Sequence, residues 1–342
     1  MTAQPMPNGT SGGGRDPRYP LDTSNPVRVY HGRRNAIIAV VAVLVIAALA
    51  IGIPWVMNRD SHAAEKGTAG NPVVIGVVGA TDPQWVEFKK QAEAQGLYVQ
   101  IKDFQDYTSE NPALAAGDLD MNEFQHLLYL ANYNVSDNQD LQPIGGVAIF
   151  PLGVYSQMDS DGNPVYTDIS QIPEGSTVAI PNDETNQARA IGVLKAAGLV
   201  TLKNEWTAFS IPQDIDESAS KVKVVAMKAE QIANSLKSDP TIAAGVINND
   251  YVADAGLSAK DAIYQDDAES EESRPYINVF VVRADDVDNP VYQKAVEIFQ
   301  SDAVLEKLQE NSDGTAVFAN NFTTAQLQQY LKDIEQDVRD NQ

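Results

Sequence analysis

The sequence has no cysteine, which removes disulfides, thiolate zinc sites, cysteine nucleophiles and a lipid-modified N-terminal cysteine from consideration. Histidine is nearly as scarce, with only His31, His62 and His126. The first two precede the acidic body of the chain, so a Ser-His-Asp site or an imidazole metal site there would depend on His126 alone. Hydrolase and zinc readings are weak on that count. There is no GxGxxG, no Walker A motif and no HExxH, and GDLDMNE at 117–123 lacks the twelve-residue ligand spacing of a calcium loop. No cofactor, no metal and no catalysis is expected. Positive charge is also short: 24 Lys and Arg stand against 47 Asp and Glu, a formal net charge of -23. Residues 1–59 hold six of those Arg against two acids, so the remainder is more acidic still. Such a body repels phosphate backbones, and nucleic acid is not an expected partner.

Against these absences stands one long apolar run. Ala36 to Met57 gives 22 consecutive uncharged residues, enough at ~1.5 Å per residue to cross a ~30 Å hydrocarbon core. Arg15, Arg18, Arg28, Arg33 and Arg34 precede it and only Arg59 follows directly, so the positive-inside rule predicts a cytoplasmic N-terminus and an exported body. A signal peptide is the competing reading, but its apolar region usually runs ~7 to 15 residues, and SHAAEKG is a poor cleavage site. Residues 1–35, rich in Gly, Pro, Ser and Asn, are predicted to be a disordered cytoplasmic tail, and 58–71 a polar tether.

Beyond the tether, apolar runs alternate with amphipathic segments. VVIGVVGA (73–80) reads as a buried strand, Pro83 to Gln95 as a helix, YVQIKDF as a strand and Pro112 to Asn132 as one helix, before the strand-like GGVAIFPLGVYS. A second block repeats the pattern. It runs from STVAIPND through the helix NQARAIGVLKAAGL, the strand KVKVVAMK and the helix AEQIANSLKS to the strand AAGVINN. YINVFVVR is again a strand, before helices over Pro290 to Asn311 and Thr323 to Asp340. Alternation of this kind predicts α/β architecture with parallel sheets covered by helices on both faces. Strand-like crossings near Phe150 and Tyr276 predict two lobes, 72–152 plus 276–342 and 153–275, with a ligand cleft between them.

Ligands in open α/β sheets sit beyond the carboxyl ends of strands, which directs attention to three segments. Phe124, His126 and Tyr129 fall within two turns of the helix predicted over Pro112 to Asn132, and Tyr107 follows the strand YVQIKDF. Together they make an aromatic wall for an apolar side chain, with His126 as a polar handle; core packing is the competing reading. In IPNDETNQAR, Thr185 and Asn186 are expected to cap a helix, with Arg189 near its first turn. A helix start with an added guanidinium suits a carboxylate, although a lone Arg more often pairs with a nearby acid. In VINNDY, Asn248 ends a buried strand and offers both a donor and an acceptor to a polar ligand, whereas Asn249 fits a turn better. Asn278, on the return crossing, is the weakest candidate.

The order of IGVVGA, DFQDYTSENPAL, GDLDMNEFQHLLYL, IPNDETNQAR, VINNDY and PYINVFVV, from Val73 to Phe322, closely resembles the NlpA lipoprotein family, the methionine-binding proteins of ABC importers. The resemblance implies a two-lobed, periplasmic-binding-protein-like α/β fold closing over a free amino acid that is passed to an ABC transporter permease. It implies that Tyr107, Phe124, His126 and Tyr129 contact the methionine side chain, that Arg189 holds the carboxylate, and that Asn186, Asn248 and Asn278 hold the polar ends. Family members usually carry a lipid on a cysteine, and here an apolar span stands in that place. SQMDSDGNPVYTD and DDAESEESR read as acidic surface loops. Two other functions compete: an extracytoplasmic enzyme using His126, and a ligand-gated sensor signalling through the Arg-containing tail.

Overall fold

The computed structural model describes Glu65 to Asn341. The apolar run Ala36 to Met57, the tail before it and residues 58–64 of the expected tether lie outside the described residues. Among the described residues no helix is long and apolar enough to cross a membrane. Residues 66–71, expected in the tether, pack on the body instead: Tyr98 donates its amide to the Gly67 carbonyl, and Lys66 pairs with Asp120 at 2.9 Å.

The first sheet begins with β1 (Val73–Val78), followed by helix α1 (Pro83–Ala94), β2 (Val99–Phe104), helix α2 (Glu110–Ala116), β3 (Met121–Glu123), helix α3 (Leu127–Ser136) and β4 (Leu141–Gly146). After the two-residue β5 (Ala148–Ile149), the chain enters the second sheet. This contains β6 (Gly153–Ser156), β7 (Thr177–Pro181), helix α4 (Glu184–Ala196), β8 (Lys223–Met227), helix α5 (Ala229–Ser238), β9 (Ile242–Ile247), the single turn α6 (Asn249–Val252) and β10 (Tyr264–Gln265). Strand β11 (Val279–Arg283) rejoins the first sheet, and α7 (Pro290–Phe299), α8 (Asp302–Asn311), β12 (Val317–Phe318) and α9 (Thr324–Asn341) close the chain. The strand orders are β2-β1-β3-β11-β4 and β10-β6-β9-β7-β8.

The mixed α/β class agrees with the sequence, but the sheets are not purely parallel. β1 runs parallel to β2 and β3, while β11 is antiparallel to both β3 and β4. In the second sheet β7 is parallel to β8 and β9, and β6 is antiparallel to β9. A strand that returns from a distant part of the chain needs no helical crossover, so it can enter in either direction.

Two expected helices are each broken in two. The predicted helix Pro112 to Asn132 stops at Gly117, which takes a left-handed φ of 83° as a C-cap, the conformation a side chain resists. Three residues of strand follow before α3 starts. The predicted helix Pro290 to Asn311 breaks at Ser301, whose extended backbone (φ -70°, ψ 148°) starts α8 afresh.

Burial explains why β1 reads as a continuous apolar run: Val73, Ile75 and Val77 are inaccessible to solvent. They pack with Trp85 and Phe88 of α1, Phe280 of β11 and Phe299 of α7, whose rings meet edge-on or tilted at 4.8 to 6.2 Å. Each such side chain contributes about 1.5 to 3 kcal/mol when fully buried. A separate core of Leu152, Val178, Ile180, Ile191, Leu194 and Val246 fills the second sheet against α4. The chain thus passes between the sheets over 150–152 and again over 266–278, and both crossings border the pocket described next.

Candidate functional site

The FQH segment lies between β3 and α3, not on a helix, with a bend at Phe124 and extended backbone at His126 (φ -92°, ψ 165°). Gln125 is buried and joins an amide network: Asn111 Nδ2 donates to its Oε1 at 2.7 Å, and its Nε2 donates to Asn111 Oδ1 at 2.6 Å and Asn122 Oδ1 at 3.0 Å. This satisfied network fixes the strand that carries Phe124 and His126 on either side of it. His126 is the N-cap of α3, its Nδ1 accepting from the Tyr129 amide at 3.1 Å.

With Nδ1 an acceptor, the proton of the neutral ring sits on Nε2, directed at Asn186 Oδ1 3.3 Å away. Burial, reinforced by the nearby Arg189 charge, pushes the imidazole down to about 3. A ring so reluctant to accept a proton is a poor general base at neutral pH, which removes the physical basis for an enzyme built on His126.

The aromatic wall forms as the sequence suggests. The Tyr107 ring lies 5.8 Å from Phe124 and 6.3 Å from Tyr129, and the Tyr129 hydroxyl donates to the Tyr107 carbonyl at 2.8 Å. Tyr251, 5.1 Å from Tyr107, extends the stack from the second sheet's side. Sequence reasoning missed it, although it directly follows the NND turn. It also missed Asp250, which accepts the Tyr107 hydroxyl proton at 2.7 Å and so links the segment after β2 to the segment after β9.

On α4 the cap is Asp183, one position earlier than the expected pair: it accepts from the Asn186 amide at 2.9 Å and from Thr185 Oγ1 at 3.1 Å. Asn186 Nδ2 also donates to Asp183 at 3.1 Å, and its Oδ1 receives both His126 Nε2 at 3.3 Å and Asn248 Nδ2 at 3.0 Å. Arg189, three residues on and on the same helix face, lies in the second turn and not the first.

Arg189 is 6% exposed and is held from several sides. Its Nε donates to Asp266 Oδ2 at 2.7 Å, and its Nη2 to Asp266 Oδ1 at 3.2 Å and the Phe150 carbonyl at 2.9 Å. Its Cζ rests 4.2 Å from the Tyr276 ring centroid. Asp266 also accepts the Leu152 amide at 2.8 Å. The expectation that DDAESEESR is merely a surface loop therefore fails at its first residue, and Ala268 and Ser273 are buried as well. The lone Arg does pair with an acid, and the pairing orients it: only Nη1 is left unengaged by these bonds.

All eight candidates line one pocket: Tyr107, Phe124, His126 and Tyr129 from one side, Asn186, Arg189 and Asn248 from the other, and Asn278 on the return crossing. Asn278 pairs through its backbone with His126 and with the Val147–Ala148 segment, which explains its position at the pocket floor. Among the described residues no group of His, Asp and Glu is arranged to hold a metal ion. The pocket offers an aromatic surface, a fixed cation, a neutral imidazole and paired amides. That set can bind an amphiphilic zwitterion without performing chemistry on it.

Residues 73–319 match the family model described as NlpA lipoprotein. A D-methionine-binding lipoprotein MetQ of Salmonella typhi is 34% identical over 250 residues, 72% of this chain and 88% of the relative. The solved substrate-binding protein of a methionine transporter from Streptococcus pneumoniae aligns with a TM-score of 0.67 at 29% identity, covering 72% of this chain and 95% of that one. A nutrient-binding protein of Burkholderia cenocepacia, solved bound to methionine, gives 0.64 at 33% identity and covers 72% and 99%. The mixed α/β fold is therefore that of periplasmic substrate-binding proteins, and these relatives are named as binding proteins, not enzymes.

Proposed function

The chain belongs to the NlpA lipoprotein family, and from that premise we propose that it captures methionine or a close analogue outside the cytoplasm and delivers it to an ABC import permease. The observation that carries this reading is the convergence of Tyr107, Phe124, His126, Tyr129, Asn186, Arg189, Asn248 and Asn278 on one pocket. The aromatic wall takes the thioether, since sulfur packs favourably against ring edges. Arg189 takes the carboxylate through Nη1, its other donors being held by Asp266 and Phe150. Asn186 and Asn248 present amide groups to the polar end, supported by the protonated Nε2 of His126.

In this reading 72–152 plus 276–342 and 153–275 are two lobes, and Tyr107 with Asp250 is a latch between them. Ala36 to Met57 is a retained membrane span with the N-terminus inside, supported by its length, its uncharged run and the Arg residues before it. It does the anchoring that an acylated cysteine cannot do in a chain without cysteine. Titration with L-methionine, D-methionine and other amino acids tests the capture. A folded Arg189→Ala variant that binds methionine as tightly as the parent would refute the site assignment. Carbonate-resistant membrane association that is lost on deleting 36–57 tests the anchor.

A further inference from the structure

Three acids where the sheets meet have no part in holding the ligand. Glu110 opens α2 on the first sheet's side and is inaccessible to solvent, yet neither of its carboxylate oxygens has a hydrogen-bond partner. Glu123 ends β3, is partly exposed and receives no donor from the described residues. Asp250 comes from α6, beyond β9 of the second sheet, and receives only the Tyr107 hydroxyl. Among the described residues these acids form no metal-binding group.

The charged and titratable groups that face them are almost all acidic. Asp250 acts on both Glu110 and Glu123, Asp103 and Asp106 act on Glu110, and Asp82 acts on Asp250. Tyr107 and Tyr251 face Asp250 and are themselves held protonated by burial, with Asp183 and Glu230 acting on them in turn. Lys228 reaches Asp106, but among the described residues no Lys or Arg acts on Glu123 or Asp250. Buried carboxylates without a cation are neutralised by taking up protons.

We propose that closing the cleft over its ligand takes up protons from solvent, because closure brings Asp250 of the second sheet against Glu110 and Glu123 of the first where no Lys or Arg neutralises them. The inference rests on the capture reading above. Each proton passes from water or buffer to a carboxylate oxygen and returns when the cleft opens and water reaches the acids.

The direction of the pH dependence follows. In the closed form burial and Asp250 push Glu123 up to about 8, burial and Asp82 push Asp250 up to about 7, and burial holds Glu110 well above its ordinary range. Groups raised in the closed form favour binding at low pH, and that contribution is lost as pH rises through 7 to 8. His126, depressed to about 3, has the opposite sign, but it is largely neutral in either form above pH 7.

The test is calorimetric titration of the full chain with methionine at pH 5, 7 and 8, and at pH 7.5 in phosphate and in Tris, whose different heats of ionisation report the protons exchanged. The parent is expected to take up about one proton or more per methionine at pH 7.5 and to lose about fivefold or more in affinity between pH 7 and 8. Glu123→Gln, and Glu110→Gln combined with it, replace a protonated carboxyl by a neutral amide of the same shape. Both should bind like the parent at pH 5, take up fewer protons at pH 7.5 and bind more tightly than the parent at pH 8, a gain that structural damage would not produce. Saturable binding by the parent with no proton uptake overturns the proposal and leaves the capture reading standing, as does an uptake that neither variant lowers. Absence of methionine binding by the parent at every pH rejects the capture reading, and the proton linkage with it.

Discussion

Removing the Asp266 carboxylate tests how the pocket holds its cation. In Asp266→Ala the Arg189 guanidinium, 7% exposed at its side chain, loses its bonds from Nε and Nη2 and keeps only the Phe150 carbonyl. The Leu152 amide loses its acceptor too. Stripping one partner from a buried ion pair costs about 3 to 5 kcal/mol. Asp266 is 22% exposed, so water partly replaces it, and about 2 to 4 kcal/mol is the expected loss. Urea unfolding of the ligand-free protein reads this as a lower midpoint at unchanged slope. Methionine affinity should fall at least tenfold, because Nη1 is no longer aimed. A double-mutant cycle with Arg189→Met isolates the cause: without the guanidinium, deleting Asp266 should cost only the Leu152 bond, about 1 kcal/mol. Equal cost in both backgrounds would refute the idea that Asp266 acts by holding Arg189.

Other perturbations probe the scaffold and its titration. Gly146→Ala places a Cβ 2.3 Å from the Ala319 carbonyl oxygen, a backbone atom that cannot move aside locally, and should cost about 1 to 3 kcal/mol in urea unfolding. Tyr107→Phe keeps the ring stack but deletes the 2.7 Å bond to Asp250; methionine affinity should drop about three- to tenfold, the worth of one such bond. His126 is neutral in the fold with its pKa depressed to about 3 from 6.5. Its contribution to stability is thus fully present above pH 6.5 and is lost progressively as pH falls toward 3. His126→Gln should remove up to about 1.4 kcal/mol per pH unit of that acid slope. Asp250 has the opposite sign: raised from 3.8 to about 7, it contributes most below pH 3.8 and loses that contribution as pH rises to 7, a limb that Asp250→Asn should flatten.

Local periodicity made much of this architecture legible. The helix AEQIANSLKS occurs with the boundaries its amphipathic pattern predicts, and the continuous apolar run of β1 reports burial on both faces. Arg189 and Asn248 are legible from their place just after strands and the aromatic set from its spacing, and all eight candidates line one pocket. What periodicity hides is non-local. The break at Gly117 and the three residues of β3 make sense only because β1 and β11 lie on either side of that strand. The antiparallel entry of β11 depends on a partner more than 150 residues away in sequence. Asp266 sits in an acidic stretch that resembles solvated surface and Asp250 follows the Asn pair of VINNDY, and only tertiary contact shows Asp250 accepting a tyrosine hydroxyl and Asp266 orienting an arginine. Gln125 could have been suspected, since a polar residue between Phe124 and His126 in a buried strand needs partners, but Asn111 and Asn122 are identifiable as those partners only in three dimensions.

The central claim is that this pocket binds an amino acid of methionine's shape and charge. Its most direct test is calorimetric titration of the purified chain, unfolded and refolded to strip any retained ligand, with L-methionine, D-methionine and a panel of other amino acids. Saturable binding of methionine that weakens at least tenfold in Arg189→Ala is the predicted result; silence across the panel, or methionine binding indifferent to Arg189, would contradict it.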